Sequence, residues 1–497
     1  MSDRLLTALQ ALPDTRVVLS GDGQARTAAA LRQDVARLAE RLQQLGGKVL
    51  ALLADNSVTW VTADLAALTA NLVQLPLPGF FSDAQLQHAL NTTAADLLLT
   101  DQAARIARLD LGFREVGRCD ALVLLQRDVE AAPLPAGTAK ISFTSGSTGQ
   151  PKGVCLSAAG LLDTAVAVST ALADLSIERH LAVLPLALLL ENVAGLYAPL
   201  LRGAQVVLPK LADLGWRGMS GFDPVQLAEQ VETTQPGSLI LVPELLKAWT
   251  LTLQAGNRRA PASLQFVAVG GARCAAALIE NARAVGLPAY EGYGMTECGS
   301  VVSLNCPAAE QAGSVGRPLR HVQIRVDGGR EIRIKSRAFL GYLEAASASA
   351  RPGDEFASGD LGHLNAAGFL QLSGRRKNLI ITAYGRNVAP EWVEAALLAQ
   401  PEIAQAVVTG EARPWLTALL VPASAGDAAN LAAAVARANA TLPDYAQIGD
   451  WLACAPFSAA NGMATGNGRP IRSGILQQHA TAIESLYTLK EANHAVL

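Results

Sequence analysis

Predicted helices and strands alternate along the first part of the chain, and this alternation limits the possible folds more than any other sequence feature. Residues 28–45 predict a helix with one apolar face, made of Leu31, Val35, Leu38, Leu42 and Leu45. Gly46 and Gly47 follow as a helix C-cap, residues 48–54 read as a buried strand, and residues 60–72 read as a second apolar helix. Short strand-like runs also occur between helical stretches at residues 181–186, 205–208 and 265–269. This order is typical of α/β proteins, in which helices cover the faces of mostly parallel sheets.

The chain of 497 residues is long enough for two or more domains. Residues 322–326 and 331–334 flank an Asp-Gly-Gly turn and predict a hairpin. The pattern then changes to that of a compact α+β unit, with a helix predicted at 391–399 and strands at 379–382, 404–408 and 417–421. We therefore predict a large N-terminal α/β domain, residues 1–376, and a small α+β C-terminal domain, residues 377–497.

Residues 141–153 join the end of a strand to a loop that is rich in glycine and hydroxyl side chains. After Phe143 the loop supplies, in this order, Thr144, Ser145, Gly146, Ser147, Thr148, Gly149, Lys152 and Gly153. Backbone N–H groups exposed by glycines, hydroxyl donors and one ammonium charge together suit a polyphosphate. The spacing differs from that of the G-x-x-x-x-G-K-[ST] phosphate loop. An ordinary Gly/Ser linker is the alternative, but linkers rarely follow a buried strand.

Further motifs follow this loop in order. They are a strand running into a glycine turn at 268–272, Y-G-M-T-E at 293–297, G-S-V-G-R-P at 313–318, S-G-D-L-G at 358–362, G-R-R-K-N at 374–378 and G-R-N-V-A-P-E at 385–391. Together with the loop they resemble the motifs of the adenylate-forming superfamily, which contains acyl- and aryl-CoA synthetases, luciferases and the adenylation domains of peptide synthetases. The residues of several of these motifs are most similar to those of fatty acyl-CoA synthetases.

The resemblance implies a reaction in two steps. ATP activates a carboxylic acid as acyl-AMP in the large domain, and the acyl group then passes to the thiol of CoA. A carboxylate is inert toward a thiol because its leaving group would be oxide, whereas AMP leaves readily from an acyl-adenylate. Such a reaction needs charge stabilisation and exclusion of water rather than a nucleophilic side chain. The resemblance also makes the C-terminal domain mobile, with Lys377 as its hinge.

The resemblance also implies a role for each motif residue. The β- and γ-phosphates would be held by Thr144, Ser145, Gly146, Ser147, Thr148, Gly149 and Lys152. The adenine would lie between Tyr293 and a facing wall formed by Gly270, Gly271 and Ala272. Thr296 would hydrogen-bond the α-phosphate, and Glu297 would bind Mg²⁺, a hard cation that prefers carboxylate and phosphate oxygens. Asp360 would accept both ribose hydroxyls, and Arg375 would contact the ribose or a phosphate.

Two positions depart from the family's pattern. The family has a catalytic lysine in a glycine-rich loop near the C-terminus, where this chain has Arg469. Arginine keeps the charge but replaces a compact ammonium with a planar fork. Residues 185–191 resemble the P-L-x-H-x-x-E stretch of acyl-CoA synthetases, with Leu188 in the histidine position. Both departures concern groups beside the acid, so they put the rate and the preferred acid in question.

The apolar stretch around Leu188 indicates the class of acid. Amino-acid-activating relatives place an aspartate here to pair with the substrate ammonium, and the three leucines at 188–190 offer no such partner. Gly271, Ala272 and Gly292 leave room beside them, so Leu188 and Gly292 are assigned to the acid pocket. We expect an apolar acid without an amino group, with fatty acids as the leading example. The alternative is that these leucines belong to the core and the pocket lies elsewhere.

Three functions remain open from the sequence. The enzyme could form acyl-CoA, or it could load the phosphopantetheine thiol of a separate carrier protein, since both acceptors share the same thiol chemistry. A non-catalytic nucleotide- or acyl-binding relative is the third possibility. Lys152, Glu297, Asp360 and Arg375 argue against it, because an inactive protein has no need for ion and ribose ligands.

Charge and cysteine content exclude other classes. The formal net charge of −3 gives no reason to expect nucleic acid as a partner. The six cysteines have no metal-ligand spacing, which predicts free thiols in a reducing cytoplasm, and the N-terminus lacks a signal-peptide core. Residues 181–201 approach membrane-spanning length, but Glu191 and Asn192 at their centre predict a core segment and no transmembrane helix. The oligomeric state is left open.

Overall fold

The computed structural model describes residues 3–144, 152–217, 221–343, 353–465 and 468–494. Its helices are α1 Asp3–Ala11, α2 Ala28–Gln44, α3 Val58–Thr69, α4 Asp83–Thr92, α5 Ala103–Arg108, α6 Ala158–Ala171, α7 Ala198–Leu201, α8 Pro224–Thr234, α9 Pro243–Ala255, α10 Ala276–Ala284, α11 Pro390–Leu398, α12 Leu431–Asn439, α13 Arg472–Gln478 and α14 Ala480–His494. A π-helical segment, Glu191–Tyr197, precedes α7.

The strands are β1 Val17–Gly21, β2 Gln24–Thr27, β3 Val49–Leu53, β4 Val73–Pro76, β5 Leu97–Thr100, β6 Arg114–Cys119, β7 Leu122–Gln126, β8 Thr138–Thr144, β9 Lys152–Ser157, β10 Arg179–Leu181, β11 Gln205–Val207, β12 Ser238–Leu241, β13 Phe266–Val269, β14 Ala289–Met295, β15 Ser300–Leu304, β16 Arg317–Pro318, β17 Gln323–Val326, β18 Glu331–Lys335, β19 Phe339–Tyr342, β20 Glu355–Leu364, β21 Leu370–Arg375, β22 Ile380–Ile381, β23 Asn387–Val388, β24 Ile403–Thr409, β25 Leu416–Pro422 and β26 Ile448–Ala453.

Sheet A has the strand order β16-β15-β14-β13-β12-β10-β11-β1-β2. Its central strands, from β14 to β1, run parallel, and the antiparallel pairs lie at its two edges. The parallel strands β12, β13 and β14 therefore end on one side of the sheet, at Leu241, Val269 and Met295. Open α/β sheets bind ligands beyond the carboxyl ends of their strands.

Sheet B has the order β19-β9-β8-β4-β3-β5-β7-β6. Only β8, β4, β3 and β5 pair in parallel, while β6, β7, β9 and β19 pair antiparallel. The connections from β6 to β7 and from β8 to β9 are too short for a parallel crossover. The predicted α/β class is confirmed, but sheet B is mixed rather than mostly parallel.

The remaining strands form sheet C and the smaller sheets of the C-terminal unit. Sheet C is antiparallel, in the order β17-β18-β20-β21, and it contains the hairpin predicted from the Asp-Gly-Gly turn. The following chain forms a ribbon, β22–β23, and a sheet of β24, β25 and β26. Residues from Ile380 onward, including Val393, Leu420 and Val435, form a core cluster of their own. The exact domain division, between residues 376 and 377, stays a prediction.

Local predictions succeeded where apolar periodicity was strong. The helix predicted at 28–45 is α2, with Leu31, Val35, Leu38 and Leu42 buried. Leu45 is half-buried just after its end, and Gly46 follows in the left-handed region with φ of 68°. The strand predicted at 181–186 is wrong beyond Leu181. There the chain leaves sheet A, and the Leu184 amide donates to the buried carboxylate of Glu191 at 3.0 Å.

A buried polar network holds the apolar stretch that follows. The Lys140 ammonium donates to Asp64 Oδ1 at 3.0 Å, to the Tyr197 hydroxyl oxygen at 3.0 Å and to the amide oxygen of Asn192. Tyr197 in turn donates to Asp64 Oδ2 at 2.5 Å. Because these groups satisfy one another, a lysine and an aspartate can remain wholly buried. Among the residues that the structure describes, none of the helices has both the length and the apolarity needed to cross a membrane.

Candidate active site

The base of the predicted phosphate loop is an antiparallel hairpin. Strands β8 and β9 pair so that Thr144 lies opposite Lys152, and the Thr144 hydroxyl donates to the Lys152 carbonyl at 3.5 Å. Lys152 is exposed, so its ammonium can reach a ligand. Five of the predicted phosphate ligands lie outside the described residues: Ser145, Gly146, Ser147, Thr148 and Gly149. The structure thus fixes the two ends of the loop.

Asp360 is the centre of a three-residue cluster. Its side chain is almost fully buried on β20, directly across from Arg375 on β21. Arg375 Nε donates to Asp360 Oδ1 at 3.0 Å, and the Tyr293 hydroxyl donates to Oδ2 at 2.6 Å. Each carboxylate oxygen can accept a second hydrogen bond, so a vicinal diol could bind both oxygens at once. Burial and the nearby Asp360 raise the pKa of Tyr293 well above its usual range, so the phenol remains a donor.

The glycine turn after β13 lies under a loop of the C-terminal unit. Gly271 has a φ of 88°, a left-handed conformation that disfavours other residues. Arg469 Nη2 donates to the Gly271 carbonyl at 2.5 Å. A Cβ built on Gly271 would lie only 3.5 Å from the same guanidinium nitrogen. The arginine in the family's lysine position is therefore brought to the segment predicted to face adenine.

Thr296 and Glu297 follow the end of β14 in a single 3₁₀ turn, Thr296–Cys298. Glu297 is half-buried, and its Oε1 accepts a hydrogen bond of 2.9 Å from the Tyr342 hydroxyl. Burial and the nearby Glu297 raise the pKa of Tyr342 above its usual range. The sequence did not predict Tyr342 as a residue of this site, because β19 joins the site through its pairing with β9.

A magnesium ion would find one protein carboxylate here. Within the described residues, no three side chains of histidine, cysteine, aspartate or glutamate cluster as a metal site by themselves. Mg²⁺ commonly binds through one or two carboxylates together with phosphate oxygens and water. Glu297 beside the end of β14 fits that pattern, with the remaining ligands supplied by a nucleotide.

The predicted acid pocket is only partly assembled by the residues that the sequence indicated. A Cβ on Gly270 would lie 3.7 Å from the Gly292 carbonyl oxygen and 3.8 Å from Leu190 Cδ2, so these three positions meet beside β13 and β14. Leu188 is half-buried in the turn before the π-helical segment. Leu189 is 7% exposed and belongs to a core cluster. One of the three leucines therefore belongs to the core, and Leu190 is the one placed beside Gly270. The room expected at Gly292 is absent, because a Cβ there would lie 2.9 Å from Leu304 Cδ1 and 3.2 Å from the Ser303 carbonyl oxygen.

Near this pocket, a histidine has partners that no sequence motif indicated. His180 Nδ1 lies 2.8 Å from Ser238 Oγ, and its Nε2 lies 3.0 Å from Glu191 Oε1. All three side chains are buried inside sheet A and the adjoining helix. A substrate could not reach them without unfolding the region, so the arrangement is structural.

The hinge region is tied to both units. Lys377 is exposed in the 3₁₀ turn Arg376–Asn378. Arg376 forms an ion pair of 3.2 Å with the buried Glu331 of sheet C, and Asn378 donates to Glu391 of α11 at 2.5 Å. Its role as a pivot stays a prediction.

These features define a class of protein. The parallel sheet, the Asp360 cluster and the loop of the C-terminal unit over Gly271 fit an enzyme that activates an acid with a nucleotide, and the chain belongs to the AMP-binding enzyme family. The family's sequence profile matches residues 6–338, and that of the AMP-binding enzyme C-terminal domain matches residues 377–491. The predicted superfamily is thereby confirmed, and the chain is an acid–thiol ligase of the AMP-forming type.

Individual relatives share most of its length. The 2-succinylbenzoate–CoA ligase of Bacillus licheniformis is 29% identical over 427 residues, which are 80% of this chain and 84% of that protein. The long-chain-fatty-acid–CoA ligase FadD15 of Mycobacterium bovis is 28% identical over 446 residues, 76% of this chain and 73% of that protein.

Solved structures share the fold. The o-succinylbenzoate CoA synthetase of Bacillus subtilis, in complex with its acyl-adenylate intermediate, has a TM-score of 0.73 at 24% identity. The match covers 95% of this chain and 97% of that one. The same enzyme has been solved in complex with ATP and magnesium ion, again with a TM-score of 0.73 and 24% identity, covering 95% of this chain and 98% of that one.

Proposed function

We propose that this protein uses Mg·ATP to convert an apolar carboxylic acid into acyl-AMP and then transfers the acyl group to CoA. A carboxylate oxygen attacks the α-phosphorus and pyrophosphate leaves. The CoA thiolate then attacks the acyl carbon, and AMP leaves with that oxygen. The observation that carries the proposal is the buried Asp360, with Tyr293 and Arg375 on its two oxygens, close to the glycine turn that Arg469 contacts.

The nucleotide would lie across the carboxyl ends of β13 and β14. Asp360 would accept the two ribose hydroxyls, since both of its oxygens retain acceptor capacity beside Tyr293 and Arg375. The fixed hydroxyl of Tyr293 would hold its ring for stacking on adenine, against Gly270, Gly271 and Ala272. These contacts bind and orient the nucleotide without taking part in bond making.

The α-phosphate would be stabilised by a neutral hydrogen-bond donor and by positive charges. Thr296 would donate to the α-phosphate, Lys152 would bind the departing pyrophosphate, and Arg469 would neutralise charge between the acid and the α-phosphorus. Mg²⁺, bound by Glu297 and phosphate oxygens, would lower the negative charge that the entering carboxylate meets. The loop over the site would restrict water while acyl-AMP is present.

The acid is proposed to have an apolar body and one carboxylate. Leu188 and Leu190 supply no hydrogen-bond donor or positive charge, and Leu190 lies beside Gly270. The second carboxylate of 2-succinylbenzoate would need a cationic or donor partner to be bound away from water. A long-chain or medium-chain fatty acid has no such requirement, so a fatty acid remains the proposed substrate, although 2-succinylbenzoate ligases are among the relatives.

A second candidate function is the loading of a carrier protein. CoA and the phosphopantetheine arm of a carrier present the same thiol, so the residues of the site fit both acceptors. We place CoA first because the ligases among the relatives are named for CoA. The proposal also keeps the predicted cytoplasmic setting, which fits six cysteines that are all free.

Acid-dependent exchange between ATP and labelled pyrophosphate tests the proposal. The panel contains fatty acids of several lengths, aryl acids, 2-succinylbenzoate and amino acids, each with and without CoA. We expect exchange with fatty acids and formation of a CoA thioester. Asp360→Ala should lower kcat/KM for ATP. The loss of charge-assisted hydrogen bonds should reduce transition-state stabilisation by roughly 2–4 kcal/mol. Asp128→Ala, at an exposed carboxylate, is the control.

Each other outcome has a defined meaning. Exchange with 2-succinylbenzoate alone would show that the proposed class of acid is wrong and that the proposed reaction is right. Exchange without any CoA product, but with transfer to a phosphopantetheinylated carrier, would favour the second candidate. If ATP binds and no acid in the panel supports exchange, the protein is not an acid-activating enzyme.

A further inference from the structure

Lys247 joins the large unit to the C-terminal unit. It lies on α9, whose opposite face packs into the core through Leu245, Leu246 and Trp249. Its ammonium points instead at the turn between α11 and β24. Nζ donates to the carbonyl oxygens of Leu398, Gln400 and Ile403 at 2.7, 2.5 and 2.7 Å.

The three acceptors suit a lysine closely. The last carbonyls of a helix lack partners within the helix and carry a partial negative charge. Leu398 is the last residue of α11, Gln400 lies in the turn that follows it, and Ile403 is the first residue of β24. An ammonium has three donors and no acceptor, and all three donors are satisfied here. Removing the side chain would take one donor from each of three carbonyls at a partly buried junction, and the Gln400 carbonyl would keep only the Ile403 amide, at 3.3 Å.

The contact carries a desolvation cost that only a specific interaction offsets. Burial lowers the pKa of Lys247 to about 8, against the attraction of the nearby Glu402, Glu244 and Asp427. An exposed lysine would have no such cost. The Lys247 ammonium is therefore partly desolvated where the two units meet, and three charge-assisted hydrogen bonds offset the loss of water.

The Lys247 contact and the Arg469 contact occur in the same orientation of the C-terminal unit. Helix α9 follows β12, and Gly271 follows the neighbouring strand β13. The C-terminal unit therefore contacts two neighbouring segments, helix α9 after β12 and the turn after β13. One contact is the end of α11 on Lys247, and the other is Arg469 on Gly271.

We propose that Lys247 is a positioning residue for acyl-adenylate formation, which holds the C-terminal unit in the orientation that places Arg469 beside Gly271. The inference rests on the proposed function, because it assigns a step to that orientation. Lys247 itself touches no substrate and acts through Arg469. A weaker contact between Lys247 and the end of α11 should slow adenylation selectively and leave transfer from acyl-AMP to the thiol intact.

The kinetic test compares Lys247→Met, which keeps the length and loses the charge, with Lys247→Arg, which keeps the charge and the donors. Lys48→Met removes an exposed ammonium elsewhere and is the matched control. We expect Lys247→Met to lower the rate of ATP–pyrophosphate exchange at least tenfold and to leave thioester formation from supplied acyl-AMP within twofold. Lys247→Arg should stay within threefold of the wild type in both steps, and Lys48→Met should change neither.

Hydrogen exchange of the free protein gives a readout that does not depend on turnover. Lys247→Met should raise amide exchange in the peptides that contain residues 398–403 and in those around Arg469, while Lys48→Met should leave both unchanged. Equal loss of both half-reactions, or faster exchange at 398–403 without any change around Arg469, would overturn the proposal. If the wild type activates no acid, the proposed function fails, and the exchange data still decide whether Lys247 holds Arg469 in place.

Discussion

At the residue scale, the site depends on charged groups whose positions are fixed by their neighbours. Asp360 is 5% exposed, and its charge is balanced by Arg375, which lies across the same pair of strands. Tyr293 reaches the second oxygen from a different sheet. A carboxylate held in this way needs little rearrangement on binding, which lowers the entropic cost of capturing a nucleotide.

Arg469 is the residue on which the half-reactions should separate. Arg469→Ala removes a positive charge beside Gly271, so acyl-AMP formation should fall by about a hundredfold or more, as when an oxyanion donor is lost. Thioester formation from supplied acyl-AMP should be preserved. The two rates are measured separately by pyrophosphate exchange and by thiol consumption, with Arg320→Ala, at an exposed arginine, as the control. An unchanged rate of pyrophosphate exchange would show that another residue has the role of the family's catalytic lysine.

Glu291 should make stability depend on pH. Burial raises its pKa to about 7, against a hydrogen bond from the Cys274 amide and the charge of Arg273. A raised folded-state pKa means that the free energy of unfolding falls as pH rises from about 4.5, the ordinary value, through about 7. Glu291→Gln should therefore gain stability over the wild type across this window, on the order of 3 kcal/mol. Denaturant unfolding at several pH values measures it, with the exposed Glu130→Gln as control. A difference that is constant with pH would contradict the assignment.

The sequence could identify most residues of the site but not all of their contacts. Tyr293, Glu297 and Asp360 stand in motifs whose order is recognisable, so their roles could be predicted one by one. Tyr342 and Lys247 stand in no motif. Their partners lie 45 or more residues away in the chain, and only strand pairing and the packing of two units bring them together.

At the element scale, polar groups decide how the most apolar part of the chain is held. Asp64 on α3, Lys140 on β8 and Tyr197 at the end of the π-helical segment satisfy one another in the interior. A π-helical segment has weaker internal hydrogen-bond geometry than an α-helix. The network fixes that segment against two neighbouring elements.

Breaking this network on one side should be costly. Asp64→Ala leaves the Lys140 ammonium buried without its countercharge, so the free energy of unfolding should fall by about 3–5 kcal/mol. The double variant Asp64→Leu with Lys140→Met removes both charges and should lose clearly less. Denaturant titration of the three proteins makes the comparison. A double variant less stable than Asp64→Ala would show that the network contributes through more than charge pairing.

Elements with a regular pattern were predictable, and irregular ones were not. The face of α2 repeats with helical spacing and ends at Gly46, so both its extent and its buried side could be predicted. Residues 182–186 are as apolar as a strand, but apolarity reports burial rather than conformation. The position of Glu191, which accepts the Leu184 amide, decides that the chain leaves the sheet there.

At the scale of the whole molecule, one site must first exclude water and later admit a thiol. A C-terminal unit that changes orientation between the two steps would meet both demands. The hinge predicted at Lys377 lies in an exposed turn, next to an arginine that is paired with Glu331. Under the proposed function, the orientation that places Arg469 over Gly271 would serve the first step.

A proline at the hinge should trap one orientation. Proline fixes φ near −65° and removes an N–H group, so Lys377→Pro should keep most of the adenylation rate while the thiol step falls by orders of magnitude. Lys377→Ala should keep both, because alanine leaves the backbone free. Separate assays of the two half-reactions decide the matter. Equal loss of both in Lys377→Pro, with unchanged thermal stability, would remove Lys377 as the hinge.

The most direct measurement follows an oxygen atom. The acid that gives the fastest pyrophosphate exchange is labelled with ¹⁸O in its carboxylate and incubated with Mg·ATP and CoA, and the nucleotide product is analysed by mass spectrometry. Because the attacking oxygen stays on phosphorus when the thiol displaces AMP, the account predicts AMP that carries one ¹⁸O atom for each thioester formed. Unlabelled AMP, or ADP together with labelled phosphate, would contradict activation through an acyl-adenylate.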